Sequence, residues 1–87
     1  MNVYFSKTAK SQFEDWETSN PKIVDKIDEL IDDIKVNGFL RGKGKPEQLK
    51  YYINPPRYSR HITRGDRLVY CPCDGSDLLI ISCKGLK

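Results

Sequence analysis

The chain has 87 residues and 10.1 kDa, with 15 Lys and Arg against 12 Asp and Glu for a formal charge of +3, 38% hydrophobic residues and a mean hydropathy of -0.61. Folding at this size buries only about 60% of the unfolded surface, so one domain over residues 1–87 with a thin core is expected, and no large cofactor. No apolar run approaches the roughly 20 residues of a membrane span, and the start at Met1-Asn2-Val3-Tyr4-Phe5 lacks the features of a secretion signal, which predicts a cytoplasmic protein without membrane contact.

Val3-Tyr4-Phe5 alternates with β-favouring residues and predicts a strand. Ser6 then suits a helix cap, followed by Ala9, Phe13 and Trp16 at helical spacing. Ser19-Asn20-Pro21 interrupts and restarts the chain, with Asn20 as a second cap and Pro21 at a first helical position, where its missing N–H costs nothing. The second helix has the stronger period: Ile23, Val24, Ile27, Leu30, Ile31 and Ile34 form one stripe, and Asn37-Gly38 tolerates the left-handed ending.

After residue 38 the period becomes extended. A basic, glycine-punctuated loop, Arg41-Gly42-Lys43-Gly44-Lys45-Pro46, leads to a predicted strand over Gln48 to Ile53. Asn54-Pro55-Pro56 turns the chain, and further extended runs follow at Tyr58 to Thr63 and Arg67 to Cys73. Leu78-Leu79-Ile80-Ile81 has the unbroken apolar character of a central strand buried on both faces. The order βααββββ predicts an α+β fold: two N-terminal helices on one face of a mostly antiparallel sheet, with the opposite face open to a ligand or partner.

The small net charge conceals a division. Residues 1–36 hold eight acids and five bases, net -3, whereas residues 37–87 hold ten bases and four acids, net +6. Between Arg41 and Arg67 lie eight bases, two acids and Tyr51, Tyr52 and Tyr58, a composition that suits RNA as well as a plain solvated surface. Glu47 separates these readings, because a phosphate patch gains nothing from a carboxylate. A lone carboxylate among cations suits a general base taking the proton of a ribose 2′-hydroxyl, though an ion pair with Lys45 or Lys50 is the competing reading. Arg67 can hold two phosphate oxygens at once. Three cysteines cannot pair fully, and Cys71-Pro72-Cys73 is too closely spaced for an ordinary zinc pair, so no metal site is expected and the thiols are read as small buried residues.

Together these motifs resemble the YoeB/Txe mRNA interferases of the RelE/ParE superfamily over essentially the whole chain. The resemblance rests on Gly42-Lys43-Gly44-Lys45-Pro46-Glu47 with Leu49-Lys50, on Tyr58-Ser59-Arg60-His61-Ile62-Thr63, on Arg67-Leu68-Val69-Tyr70 and on Leu78-Leu79-Ile80 with Cys83. It implies a RelE-like, microbial-ribonuclease-like fold and a toxin that cuts mRNA in the ribosomal A site without a cofactor. Its implied partners are a YefM-type antitoxin, the 70S ribosome and a second copy of itself. It also assigns Glu47 as general base and Arg67 as phosphate stabiliser, with RNA contacts from Lys43, Lys45, Lys50, Arg60, His61 and Lys87. The antitoxin segment that covers Glu47 and Arg67 is expected to be acidic or amphipathic. The sequence departs from the family in two places. His61 stands where a second arginine is usual, and Leu86-Lys87 replaces a terminal His-Tyr pair whose histidine is the general acid. Impaired cleavage is therefore expected, and a noncatalytic member, a gyrase inhibitor or an RNA-binding remnant, is the alternative.

Overall fold

The computed structural model describes residues 1–86, which leaves Lys87, one of the expected RNA contacts, outside the described residues. In chain order the elements are β1 (Val3–Phe5), α1 (Lys7–Ser19), α2 (Pro21–Asn37), β2 (Glu47–Ile53), β3 (Pro56–His61), β4 (Arg67–Cys73) and β5 (Asp77–Ser82). The expected α+β order is thus observed, and no helix among the described residues is long and apolar enough to cross a membrane.

Local chemistry accounts for the helix ends. The Ser6 hydroxyl accepts the Ala9 N–H at 3.0 Å and caps α1. Asn20 corrects the expectation for α2. Its side chain makes no capping bond, and the turn is closed instead by its backbone carbonyl, which accepts the Ile23 N–H at 2.9 Å, with Pro21 in the first turn. Gly38 ends α2 at φ +88°, in the left-handed region that favours glycine.

The sheet order is β1-β5-β4-β3-β2, with β1 parallel to β5 and the other pairs antiparallel. Ile27, Leu30, Ile31 and Ile34 of α2 and Ala9 of α1 pack on Ile62, Leu68, Tyr70, Leu78 and Ile80 of one sheet face. This corrects the reading of residues 78–81 as buried on both sides. In β5, Leu78 and Ile80 are wholly buried under the helices, whereas Leu79 and Ile81 face the other way and are half-buried. The central strand is β4, buried from Leu68 to Cys71. β2 forms an edge, and its register against β3 shifts between Gln48 and Ile53.

The chain after β5 is clamped rather than loose. Trp16 Nε1 donates to the Cys83 carbonyl at 2.9 Å, the Cys83 N–H donates to Gln12 Oε1 at 2.7 Å, and the Gly85 N–H donates to Asp66 Oδ1 at 2.8 Å. The Arg67 N–H in turn donates to the Gly85 carbonyl at 2.8 Å.

Burial separates the three free thiols. Cys83 is wholly buried, and desolvation, with Asp66 adding to it, pushes its pKa up to about 11. Burial also raises Cys71, and Cys73 is the most accessible of the three. Because the thiolate is the reactive species, labelling the native protein with DTNB at pH 8 is expected to modify Cys73 alone, and urea should release the other two. Rapid reaction of Cys83 in the folded chain would contradict this packing.

Candidate active site

The open sheet face carries the candidate site, and β3 is its axis. Side chains alternate along a strand, so Arg57, Ser59 and His61 share one face while Tyr58 and Arg60 take the other. Cross-strand neighbours share a face, which places Glu47 beside Ser59, Val69 on the other side of Ser59, and Arg67 beside His61. Glu47 on β2 therefore reaches diagonally across β3, and its Oε1 accepts from Arg67 Nη1 of β4 at 2.7 Å. Both side chains retain solvent access, so the pair contributes little to stability. Its interest is chemical: a carboxylate and a guanidinium held in contact at the edge of a concavity.

That concavity has a volume of about 650 Å³ and is lined by Arg67, Val69, Ser59, Arg57, Tyr52, Leu49, Ile81, Ser82, Thr8 and Leu86. The clamp at Cys83 and Gly85 delivers Leu86 to it, so the residue expected at the place of the missing acid does lie on the same cavity as Arg67. An isobutyl side chain there can exclude water but cannot give a proton.

The other sequence-predicted contacts are dispersed. His61 lies with Lys45, Lys26, Arg64 and Thr63 on a second, shallower groove of about 410 Å³. This groove shares no lining residue with the first; the link between them is the register pairing of His61 with Arg67. Lys45 takes a left-handed conformation, φ 51°, where the loop enters β2. Lys50 is exposed on β2 and lines neither cavity. Lys43 is drawn toward α2, where its Nζ donates to Glu29 Oε1 at 2.9 Å; the contact raises the lysine pKa and lowers that of the carboxylate.

Arg60 requires a correction. It was expected to contact RNA, yet it is wholly buried on the helix side, and its five N–H donors all have protein partners. Nε donates to Tyr70 Oη at 2.9 Å. Nη1 donates to Asp33 Oδ2 and to the Lys43 carbonyl, and Nη2 donates to the carbonyls of Gly38 and Arg41 at 2.8 and 2.7 Å. Tyr70 Oη donates onward to the Phe39 carbonyl at 2.6 Å. The guanidinium thus fastens residues 38–43, the loop that leads to Glu47, and holds the Asp33 carboxyl below the usual carboxylate range. Gly42 belongs to the same knot: at φ +112°, an added Cβ would fall 1.9 Å from Asp33 Oδ2.

Ser59 and Arg57 line the cavity but were not singled out in the sequence, whereas Tyr52 was noted there among the aromatics suited to RNA. The Arg57 guanidinium carbon lies 4.3 Å from the centroid of the Tyr52 ring. Of the three tyrosines noted in the sequence, Tyr58 stacks inside between Phe39 and Tyr70, and Tyr51 projects into solvent, leaving Tyr52 on the cavity. Alternation from Glu47 across the ladder was the available signal for Ser59, but it needs the register to be read.

Comparison with known proteins agrees with this architecture. A family model described as the YoeB-like toxin of bacterial type II toxin–antitoxin systems matches residues 5–85. Toxin YoeB of Escherichia coli K12 is 40% identical over 84 residues, covering 97% of this chain and 96% of the relative. The YoeB dimer of Staphylococcus aureus superposes with a TM-score of 0.90 at 39% identity, covering 100% of this chain and 98% of the other. The heterotetrameric YoeB–YefM complex of the same organism superposes at 0.88 and 39%, with the same coverage. An archaeal RelE from Pyrococcus horikoshii, solved with RelB, superposes at 0.75 and 14% identity over 97% of this chain and 92% of that one, a likeness of the RelE-like fold alone. By both sequence and fold, the chain belongs to the YoeB toxin family of type II toxin–antitoxin systems.

Proposed function

We propose that this chain is a ribosome-dependent endoribonuclease of the YoeB type that cuts mRNA in the A site, with one member of its acid–base pair missing. The observation that carries the reading is the 2.7 Å contact between Glu47 Oε1 and Arg67 Nη1 at the edge of a cavity that also holds Leu86. Glu47 takes the proton of a ribose 2′-hydroxyl, the oxygen attacks the adjacent phosphorus, and the 5′-oxygen leaves. Arg67 stabilises the charge that develops on the phosphoryl oxygens, where a preoriented guanidinium acts most strongly. Lys45 and His61, on the second groove, take the next phosphate. Leu86 stands where the leaving oxygen needs a donor, so the last proton comes from water and cleavage is slow.

Neighbours in this family were solved as a dimer and in complex with YefM, which supports a YefM-type antitoxin and a second copy of the chain as partners in the proposal. The ribosome is the third, and it places the activity in the cytoplasm. Leu86 also favours a second reading, a noncatalytic family member that blocks gyrase or merely binds RNA.

Primer extension on ribosome-bound mRNA tests the choice. The chain is expected to give weak cuts at A-site codons that Glu47→Gln abolishes, and to leave gyrase supercoiling untouched. Cuts that persist in Glu47→Gln, or gyrase inhibition without cleavage, would overturn the proposal.

A further inference from the structure

Among the described residues, the cavity holds one buried side-chain oxygen that the fold does not use. Ser59 is 1% exposed, and among the described residues its hydroxyl has no hydrogen-bond partner. Buried hydroxyls without partners are rare, because the lost hydration is not replaced. Nothing in the packing requires a hydroxyl here: Ser59 sits between Glu47 and Val69 on the sheet, where alanine would fill the same space. An oxygen retained on a cavity floor beside an ion pair suits a ligand that brings the missing partner.

Two positions before Ser59, on the same face of β3, Arg57 lies against the ring of Tyr52, and both line the cavity. Alternate residues of a strand are about 6.6–6.8 Å apart. Arg57, Ser59 and His61 therefore form a row about 13 Å long, flanked at the His61 end by Arg67. An aromatic ring, a hydroxyl and a cation in that order match the parts of one nucleotide. Bases stack on aromatic and guanidinium planes, and this contact accepts any base.

We propose that this cavity is a nucleoside subsite: the base of one RNA residue stacks on the shelf formed by Tyr52 and Arg57, and the Ser59 hydroxyl hydrogen-bonds a sugar–phosphate oxygen of that residue, which sets its phosphate against Arg67. The proposal rests on the RNA reading of the site and adds the residues that hold the nucleotide. Tyr52 and Ser59 are binding residues here, and proton transfer remains with Glu47.

The test uses fluorescence anisotropy of the full chain with a 2′-fluoro RNA hexanucleotide, which cannot be cut by 2′-attack, and with versions carrying an abasic residue at each position in turn. One abasic position is expected to weaken binding roughly 5- to 100-fold, and Tyr52→Ala should erase the difference between that probe and the intact one. Ser59→Ala should weaken the intact probe about 3- to 10-fold while leaving the thermal midpoint unchanged or raised, since it removes an unpartnered buried oxygen. That combination is not what a packing role produces. Indifference to every abasic position, or no binding of any probe, would overturn the subsite, as would a Ser59→Ala variant that binds normally. Failure of the cleavage reading looks different: the probes bind with the expected pattern, but no variant cuts mRNA on ribosomes.

Discussion

Replacing Arg60 with alanine is expected to lower folding stability by about 3–5 kcal/mol, the range for breaking a buried charge network from one side. The variant takes one donor each from the Asp33 carboxylate, the carbonyls of Gly38, Arg41 and Lys43, and the Tyr70 hydroxyl at once. Arg60→Lys should recover little of the loss, because a single ammonium cannot replace a planar fork aimed at three elements. Urea denaturation measures both, and a loss below about 1 kcal/mol in Arg60→Ala would place the residue among ordinary surface ion pairs. The network also predicts the pH response. Asp33 is held below its ordinary value of 3.8, first by the hydrogen bond from Arg60, so its contribution is complete above that value. It is lost as pH falls through the depressed folded value. The acid limb of the stability curve should therefore be shallower in Arg60→Ala, a difference visible between pH 5 and pH 2 in thermal melts.

The second large effect concerns catalysis. Leu86→His is expected to raise ribosome-dependent cleavage by about 10²- to 10⁴-fold, the usual contribution of a positioned general acid or base. The expectation rests on placement. Gly85 is fixed through both backbone groups, to Asp66 and to Arg67, and Leu86 already lines the cavity that Arg67 lines. In the proposed mechanism, an imidazole in its place stands near the leaving oxygen of a phosphate held by that arginine. The gain should depend on Glu47, so Leu86→His/Glu47→Gln should be as inert as Glu47→Gln alone. Leu86→His/Lys87→Tyr provides a second measurement. Equal cleavage by the parent chain and both histidine variants would overturn the proposal that position 86 lacks the general acid.

Periodicity made most of the fold legible. Ser6 and Gly38 marked helix ends, the stripe from Ile27 to Ile34 marked the buried face, and the run from Arg67 to Cys73 is a strand with those same bounds. Residues 78–81 misled because a strand under a helix layer and a strand across a ligand cavity both favour aliphatic side chains. Only the layer arrangement distinguishes Leu78 from Leu79. Glu47 stood out as a lone acid, and its ion-pair partner is Arg67 across β3 rather than the nearby Lys45 or Lys50 that the sequence suggested. Arg60 and His61 were both expected to face phosphate, which the pleat forbids for adjacent residues of one strand. The choice between them depends on register, and the acid that claims Arg60 is 27 residues away on α2. Ser59 was silent for a similar reason: a serine in a strand carries no message until its neighbours and its unpaired oxygen are known.

The parallel pairing of β1 with β5 has a consequence for the order in which the molecule can be assembled. Val3 meets Leu78, so the first strand made has no ladder until the fifth has been made, and β5 then fills the space between β1 and β4. That closure spans 75 residues, the most entropically costly contact in the sheet. Leu78 and Ile80 complete the floor beneath the helices in the same event, and the segment after β5 brings Leu86 to the cavity beside Arg67. A nascent chain therefore carries Glu47 and Arg67 before β5 has slotted between β1 and β4, and the sheet that bears both residues is completed only by that last pairing.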